Sequence, residues 1–500
     1  MEEMESTQAA GQHGVPGETK VRRAWTGIAV AAGSILAIRL APFPVLQGPA
    51  GSALALSPLG KTSLAIVVAA VVLWVTEALP FPVTALIALL LLPAFGVTTS
   101  SDPKVSPVED AVRNGLGKPV IVFLIGVLLL STAFSKAGLG EQAVDWVLQR
   151  TGGRPRRVLL AILSIGMLLA AWITALAAVA TMLPISLSIL RRTGAGPGKS
   201  NFGRALMLAT CMGPLIGGIA APTGAAPNAI ALDYLSRAGV DIRFWDWLAI
   251  GFPSAILLIP VAWLVLLLCF PFRKEQQQAI PIPDRRHVPL SWRQWCVLLI
   301  LSLAILGWIV GPLVGTSSPS GFWRYPQWVG LLAGVLCFVP GLGVLKWQDA
   351  ERGVPWRILL VVAAGLAIGN AFYSSHAADY VAWVLFAGVF RLAPALRFSA
   401  IVLTVAVLHL VLSSNTVTGS IVTPLLISIA GMLHISAWLL CAPAALTVPL
   451  ALILPIESPD ALIAYSSGYF SVKDMAKAGI PITLTAAVII GLVLNVVITR

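Results

Sequence analysis

Charge is scarce in this 500-residue chain: 11% of residues are Asp, Glu, Lys or Arg, against 58% hydrophobic. Soluble domains carry about 25% charged residues. The composition therefore excludes a water-soluble globular protein and leaves an all-α polytopic membrane protein. Cysteine is also rare. The five present (Cys211, Cys269, Cys296, Cys337 and Cys441) lie in apolar segments without paired spacing, which argues against a disulfide framework and against a metal site. Residues 1–23 lack the short apolar core and small-residue cleavage site of a signal peptide. Polar and carrying a Gly/Pro patch, they are expected to form a disordered cytoplasmic arm. A net charge of +12 would suit nucleic acid in a soluble protein. In a membrane protein it is read as an excess of Lys and Arg in cytoplasmic loops, so the bilayer, not a nucleic acid, is the expected partner.

What the chain does have is long apolar runs, near 24–40, 62–79, 82–97, 119–138, 158–190, 205–235, 246–271, 294–315, 326–345, 358–390, 398–433, 435–470 and 479–498. Two uncharged runs are too long for one crossing. The 36 residues of 398–433 would make a helix of roughly 54 Å, whereas the hydrocarbon core is about 30 Å thick. Ser413, Ser414, Asn415 and Thr416 fall near the middle of this run. A re-entrant hairpin with a polar tip at mid-membrane fits, because non-helical backbone is tolerated at that depth only when buried in protein or lining a cavity. The run 158–190 has the same problem, with basic residues at both ends: Arg154, Arg156 and Arg157, then Arg191 and Arg192.

Charge placement tests this. With both long runs re-entrant, the other eleven segments spanning and the N-terminus inside, 22 of the 33 basic residues fall inside and 11 outside. If both long runs crossed fully, 15 would be inside and 18 outside. The positive-inside rule prefers the first arrangement. The expectation is eleven transmembrane helices plus two hairpins, with the N-terminus cytoplasmic and the C-terminus outside. The first half is 24–271, with an inward-opening hairpin 158–190. A cytoplasmic loop follows at 272–293, and the second half is 294–500, with an outward-opening hairpin 398–433.

Each hairpin precedes an interrupted segment: Gly217, Gly218, Pro222, Gly224 and Pro227 break 205–235, and Pro455 and Pro459 break 435–470. Thr174 lies ten residues before Pro184, as Ser414 lies ten before Pro424. A hairpin followed by a broken helix, repeated in opposite orientation, is the pattern of an inverted-repeat secondary transporter.

Four stretches carry a resemblance. WVTEALPFPVTALIALLLLPAFGV from Trp74, GKPVIVFLIGVLLLSTAF from Gly117, GGIAAPTGAAPNAIAL from Gly217, and Ser414-Asn415-Thr416 with Pro424 occur in this order. They resemble segments of the divalent-anion:sodium symporter family, whose members move dicarboxylates, citrate or sulfate. The resemblance runs from about residue 60 to the C-terminus. It implies two Ser-Asn-Thr tips that bind substrate carboxylates and, with nearby carbonyls, two sodium ions. It also implies hairpins that move as a rigid unit against a dimerising scaffold.

The chain departs from that pattern. The first tip reads Thr174, Ala175, Leu176; the first break has Gly224-Ala225 where the family has Gly-Thr; the second reads Glu457-Ser458-Pro459-Asp460. By resemblance, the substrate would lie among Thr174, Ala175, Leu176, Ser414, Asn415, Thr416, Ser458 and Pro459. The ions would lie among Thr174, Gly224, Ala225, Asn228, Ser413, Asn415, Glu457 and Asp460. The alternative for 414–416 is a cluster of small polar residues mediating helix packing, and for Asn228 a helix cap. Glu457 and Asp460 are costly at membrane depth and are functional candidates by default, here a protonatable pair; the alternative is a hydrated mouth or pairing with Lys473. Glu77 is expected at the interface, and His409 as a satisfied polar residue between helices. His376 and Asp379, spaced HxxD, lack the further ligands a metal site needs.

The expected function is secondary active transport of small organic anions, di- or tricarboxylates, by elevator-type alternating access coupled to sodium ions, protons or both. No cofactor is expected beyond possible Na+ ions. An anion exchanger or sulfate transporter of the same fold is the alternative, a passive channel or an integral-membrane enzyme a remote one. A homodimer in a bacterial inner membrane is the expected setting.

Overall fold

The computed structural model describes residues 16–100, 102–194, 196–272, 289–314, 325–342 and 344–498. Apart from a two-residue strand pair, Leu46–Gln47 with Ala53–Leu54, and short 3-10 turns, the described residues form helices. The first half contains α1 (Pro16–Leu40), α2 (Pro58–Val75), α3 (Phe81–Ala94), α4 (Pro107–Asn114), α5 (Pro119–Lys136) and α6 (Leu139–Arg150). A helical hairpin follows, α7 (Pro155–Trp172) and α8 (Ala175–Arg192), then α9 (Asn201–Gly217), α10 (Ala226–Arg237) and α11 (Phe244–Cys269). The second half contains α12 (Trp292–Val314), α13 (Pro326–Leu336), α14 (Trp347–Gly353), α15 (Arg357–Ser374) and α16 (Ala377–Phe386). Its hairpin is α17 (Pro394–Leu412) and α18 (Asn415–Met432), followed by α19 (Ala437–Thr447), α20 (Pro459–Tyr465) and α21 (Val472–Ile498). Proline opens many of these helices, as at Pro58, Pro119, Pro155 and Pro394. Its fixed φ suits the first turn, and its missing N–H is one that the first turn leaves unpaired anyway.

Ten of the described helices are long and apolar enough to cross a membrane, and four of those are hairpin arms. The remaining expected spans correspond to the shorter apolar helices α1, α3 and α13 and to the interrupted pairs α9–α10 and α19–α20. Three boundaries need correction. Helix α1 begins at Pro16, inside the stretch 1–23 expected to be disordered; residues 1–15 lie outside the described residues. The run 358–390 is two helices, not one span, because the chain turns at His376, whose φ is 59°. Helix α13 stops at Leu336, well short of 345. Most of the expected loop 272–293 lies outside the described residues.

Each arm of the first hairpin is an 18-residue helix, roughly 27 Å long. That is slightly less than the hydrocarbon thickness of about 30 Å, so the tip lies within the bilayer, and tilt of the arms brings it toward the middle.

The two hairpin units are built alike. Helices α8 and α18 both run 18 residues and carry proline at the tenth position, Pro184 and Pro424. Helices α11 and α21 place Asp246 and Asp474 third, Gly251 and Gly479 eighth, and Pro253 and Pro481 tenth. The glycines have a job: a Cβ on Gly251 would collide with the Ile219 carbonyl in the first break, and one on Gly479 with the Leu452 carbonyl in the second. Elsewhere, Gly126 of α5 sits directly against Gly330 and Gly334 of α13, the close backbone approach that small residues allow in membranes.

The apolar interior divides into two clusters. One is centred on α2, α3, α5, α12, α15 and α18, the other on α7, α9, α11 and α21. The boundary runs through the first break, between Ala220 and Ala221.

Candidate functional site

The first hairpin turns at Ile173 and Thr174, both extended. Thr174 caps α8, its Oγ1 accepting from the Ala177 N–H at 3.4 Å, and lies 3.4 Å from Ser131 Oγ of α5. Ala175, which replaces the family's amide, is buried and donates its N–H to the Gly224 carbonyl at 3.2 Å. Leu176 is half-buried. The first break folds onto this tip: Thr223 Oγ1 donates to the Ala171 carbonyl at 3.0 Å, and a Cβ on Gly224 would lie 2.9 Å from the Ala170 carbonyl. Gly224 is thus required by space as well as by motif. Ala225, extended, precedes α10 without a side-chain cap.

Asn228 does not cap α10. It sits inside the first turn, fully buried, and its Nδ2 donates to the Gly218 carbonyl at 2.7 Å and the Ala221 carbonyl at 2.9 Å. This fixes the amide orientation and leaves its Oδ1 buried with no hydrogen-bond partner.

The second tip turns differently. Ser413 adopts a left-handed conformation with φ 49° and donates its Oγ to the Leu410 carbonyl at 3.1 Å. Such a conformation is uncommon outside glycine and marks local strain. Ser414 is extended and makes no side-chain cap. Asn415 Oδ1 is buried without a partner, as Asn228 Oδ1 is. The Thr416 carbonyl accepts from Ser420 Oγ at 2.9 Å. His409 is not the fully satisfied core residue the sequence suggested. Its Nδ1 lies 2.8 Å from Thr418 Oγ1, its ring faces the Asn415 side chain, and its Nε2 has no hydrogen-bond partner. A lone His in an apolar run carries no signal for this placement.

In the second break the two acids part company. Glu457, 2% exposed, accepts the N–H groups of Leu454 at 3.0 Å and Ile453 at 3.4 Å, so its carboxylate organises the turn before α20. Ser458 Oγ caps α20 at the Ala461 N–H, 3.2 Å, and Pro459 opens the helix with its ring exposed. Asp460 is 8% exposed and faces α9, where it acts on Cys211. Their surroundings differ, since only Glu457 is held by backbone N–H groups, and neither acid forms an ion pair with Lys473 or any other described residue. Aligning Pro227 with Pro459 places Asp460 at the position equivalent to Asn228, a correspondence readable in the sequence but hidden by the different break lengths.

These parts converge. A Cβ on Gly218 would lie 3.5 Å from Pro449, so the two breaks touch, and one on Gly419 of α18 would lie 3.1 Å from Pro227. Helix α20 packs against α8 and α9, as α18 packs against α10. The second arm of each hairpin therefore lies against the second half-helix of the other unit. The structure does not bring His376 or Asp379 to this centre. His376 is exposed, with Nδ1 2.8 Å from Asp379 Oδ2, and Asp379 in turn accepts from Ser428 Oγ of α18. No group of three metal-ligating side chains occurs among the described residues. Glu77 is exposed, between α2 and α3.

Comparison with known proteins places this geometry. The crystal structure of the YdaH transporter of Alcanivorax borkumensis superposes with a TM-score of 0.53 over 86% of this chain and 98% of that one; at 16% identity this speaks for the fold alone. The sodium-dependent dicarboxylate transporter SdcS of Staphylococcus saprophyticus is 27% identical over 467 residues, 88% of this chain and 86% of its own. Human solute carrier family 13 member 2 is 26% identical over 520 residues, covering 84% and 86%. These relatives are transporters, not enzymes. Residues 31–498 match the sodium:sulfate symporter transmembrane region, and the chain belongs to that family of integral membrane transporters.

Proposed function

We propose that the chain is a secondary active transporter that moves small dicarboxylates or tricarboxylates with sodium ions. The observation that carries this reading is a buried amide oxygen, Asn228 Oδ1, without a hydrogen-bond partner, matched in the other hairpin unit by the buried Asn415 Oδ1, which faces the His409 ring. A buried acceptor without a donor is costly, and an oxygen aimed into a polar break is what a hard cation recognises. Carbonyls stand ready beside the first: Gly218 and Ala221 are held by the Asn228 amide, and carbonyl oxygens replace an ion's hydration shell. The α8 and α18 N-termini and the half-helix starts of α10 and α20 supply partial positive charge suited to a carboxylate. The names of the relatives, sodium-dependent dicarboxylate transporters among them, point the same way.

In this reading Ser414, Asn415 and Thr416 hold substrate and one ion, with Ser413 supplying the turn. Thr174, Ala175 and Leu176 close the other side, and Gly224, Ala225 and Asn228 frame the first ion site. Ser458 and Pro459 open α20 beside the substrate, and Glu457 shapes that break. Asp460, buried and without an ion pair among the described residues, is the group that takes a cation or a proton into the second site. The hairpin units travel together against the scaffold of α2, α3, α5, α13 and α15, and a second copy pairs with that scaffold.

Uptake into proteoliposomes tests the reading. Radiolabelled succinate, malate, citrate and sulfate are offered under imposed sodium or proton gradients. Succinate or a close relative is expected to accumulate with inward sodium, and Asn415→Ala and Asn228→Ala to bring uptake near background. No accumulation of any of these anions under either gradient overturns it.

A further inference from the structure

Between the scaffold and the first hairpin unit lies a cavity of about 590 Å³. One wall is Lys118, immediately before α5, with Tyr325 ahead of α13; the other is Asp233, Ser236 and Arg237 at the end of α10. Pro222 of the first break and Ala229, the neighbour of Asn228, also line it. The cavity therefore connects a charged mouth with the break that frames the first ion site.

The charges at the mouth are unevenly matched. Arg237 is paired with Asp233 one turn earlier, Arg243 with Asp246, and Asp241 accepts from Ser236 Oγ at 3.0 Å. Lys118 is half-buried, and its ammonium has no hydrogen bond or ion pair with any described residue. Burial and the nearby Arg237 guanidinium hold its ammonium below the usual lysine range, Asp233 and Asp110 only partly offsetting them. An incoming anion would offset both. Arg237 keeps donors to spare, because a guanidinium carries five N–H groups and Asp233 engages one end of it. Apart from Gln327 the remaining lining is apolar and includes Phe123 and Phe244, as in sites where a few polar groups orient a ligand within an apolar cleft.

We propose that this cavity is a capture site for a small dicarboxylate, with Lys118 and Arg237 facing one carboxylate before the substrate reaches the hairpin tips. The inference rests on the transport reading above and adds to it a second, peripheral binding position. A cation between apolar walls concentrates an anionic solute at the mouth of its path.

The test is protection from thiol labelling. A Ser236→Cys reporter is placed in an Asn415→Ala background, where the tip site is disabled, and reacted with a small uncharged thiol reagent; the chain lacking the reporter gives the background from native cysteines. Succinate is expected to slow labelling several-fold. Lys118→Gln should remove that protection, and Lys118→Arg should retain it. If the Ser236→Cys protein does not fold, Gln327→Cys on the opposite wall serves as reporter. Labelling indifferent to succinate, or protection that survives Lys118→Gln, overturns the capture site. Wild-type uptake is measured in parallel: its absence overturns the transport reading, whereas uptake without protection overturns the capture site alone.

Discussion

Glu457 and Asp460 are three residues apart and both buried, yet the backbone gives them different work. Glu457 receives two N–H groups from the break preceding it, so a glutamine there can still accept one of them but not both as well. Glu457→Gln is therefore expected to lower stability by about 1 kcal/mol, the scale of a lost cap or hydrogen bond, and to leave the pH dependence of uptake unchanged. Asp460 has no such employment, and an unpaired carboxylate in an apolar interior is costly. Asp460→Asn is expected to flatten the response of uptake to pH and to weaken its dependence on sodium. Uptake profiles from acidic to mildly alkaline pH, with thermal denaturation of both variants, check this; a flat profile in the Glu457 variant instead would reverse the assignment. The sequence marked both acids because charge is rare at that depth. It did not separate them, because capping depends on where the chain turns, and the turn follows from packing against α21. The amides at 228 and 415 were legible for a different reason: each stands beside a proline or a polar triplet that interrupts an otherwise apolar run.

Length carried the helix-level reading. An uncharged run longer than the bilayer must fold back, and both long runs do become hairpins of matched arms. The run 358–390, as long as 158–190, was expected to be one span, yet a left-handed turn at His376 divides α15 from α16 without a glycine or proline to signal it. The pairing of α11 with α21 was readable but unread, because the repeated Asp, Gly and Pro are spread over eight positions of an apolar helix. That repeat makes a stability prediction. Gly479 packs against the Leu452 backbone, which has no far end to move aside, so Gly479→Ala is expected to cost about 1–3 kcal/mol and to lower the unfolding temperature in detergent. Gly431, also helical, has open space where a Cβ would go, and Gly431→Ala should be neutral or raise that temperature slightly, since alanine is the better helix former. Equal behaviour of the two variants would show that the close approach of α21 to the second break contributes little.

At the scale of the whole molecule, the sidedness of basic residues suggested the order of crossings, but nothing in a one-dimensional charge count says which helices travel together. The arm α7 is locked to α9, with Gly166 against Pro214 and Gly213 and Gly217 against the Leu163 and Met167 carbonyls. By contrast, α18 meets the scaffold through smooth contacts, Ser420 on Gly365 and Gly369 of α15, with Tyr234 Oη donating to the Gly365 and Leu366 carbonyls. In the transport reading proposed above, this joint is the surface on which the hairpin units would move against the scaffold. Asp379 of α16 and Ser428 of α18 are hydrogen-bonded near one end of this joint, at the opposite end of α18 from the second tip. An Asp379→Cys/Ser428→Cys pair, joined by oxidation or by a short bifunctional thiol reagent, should therefore abolish accumulation of substrate while leaving equilibrium binding of substrate to the purified protein intact. Reduction should restore uptake, and neither single variant should respond to the oxidant. If completely cross-linked protein transports at the rate of the reduced form, α16 and α18 do not separate during the cycle, and the moving boundary lies elsewhere.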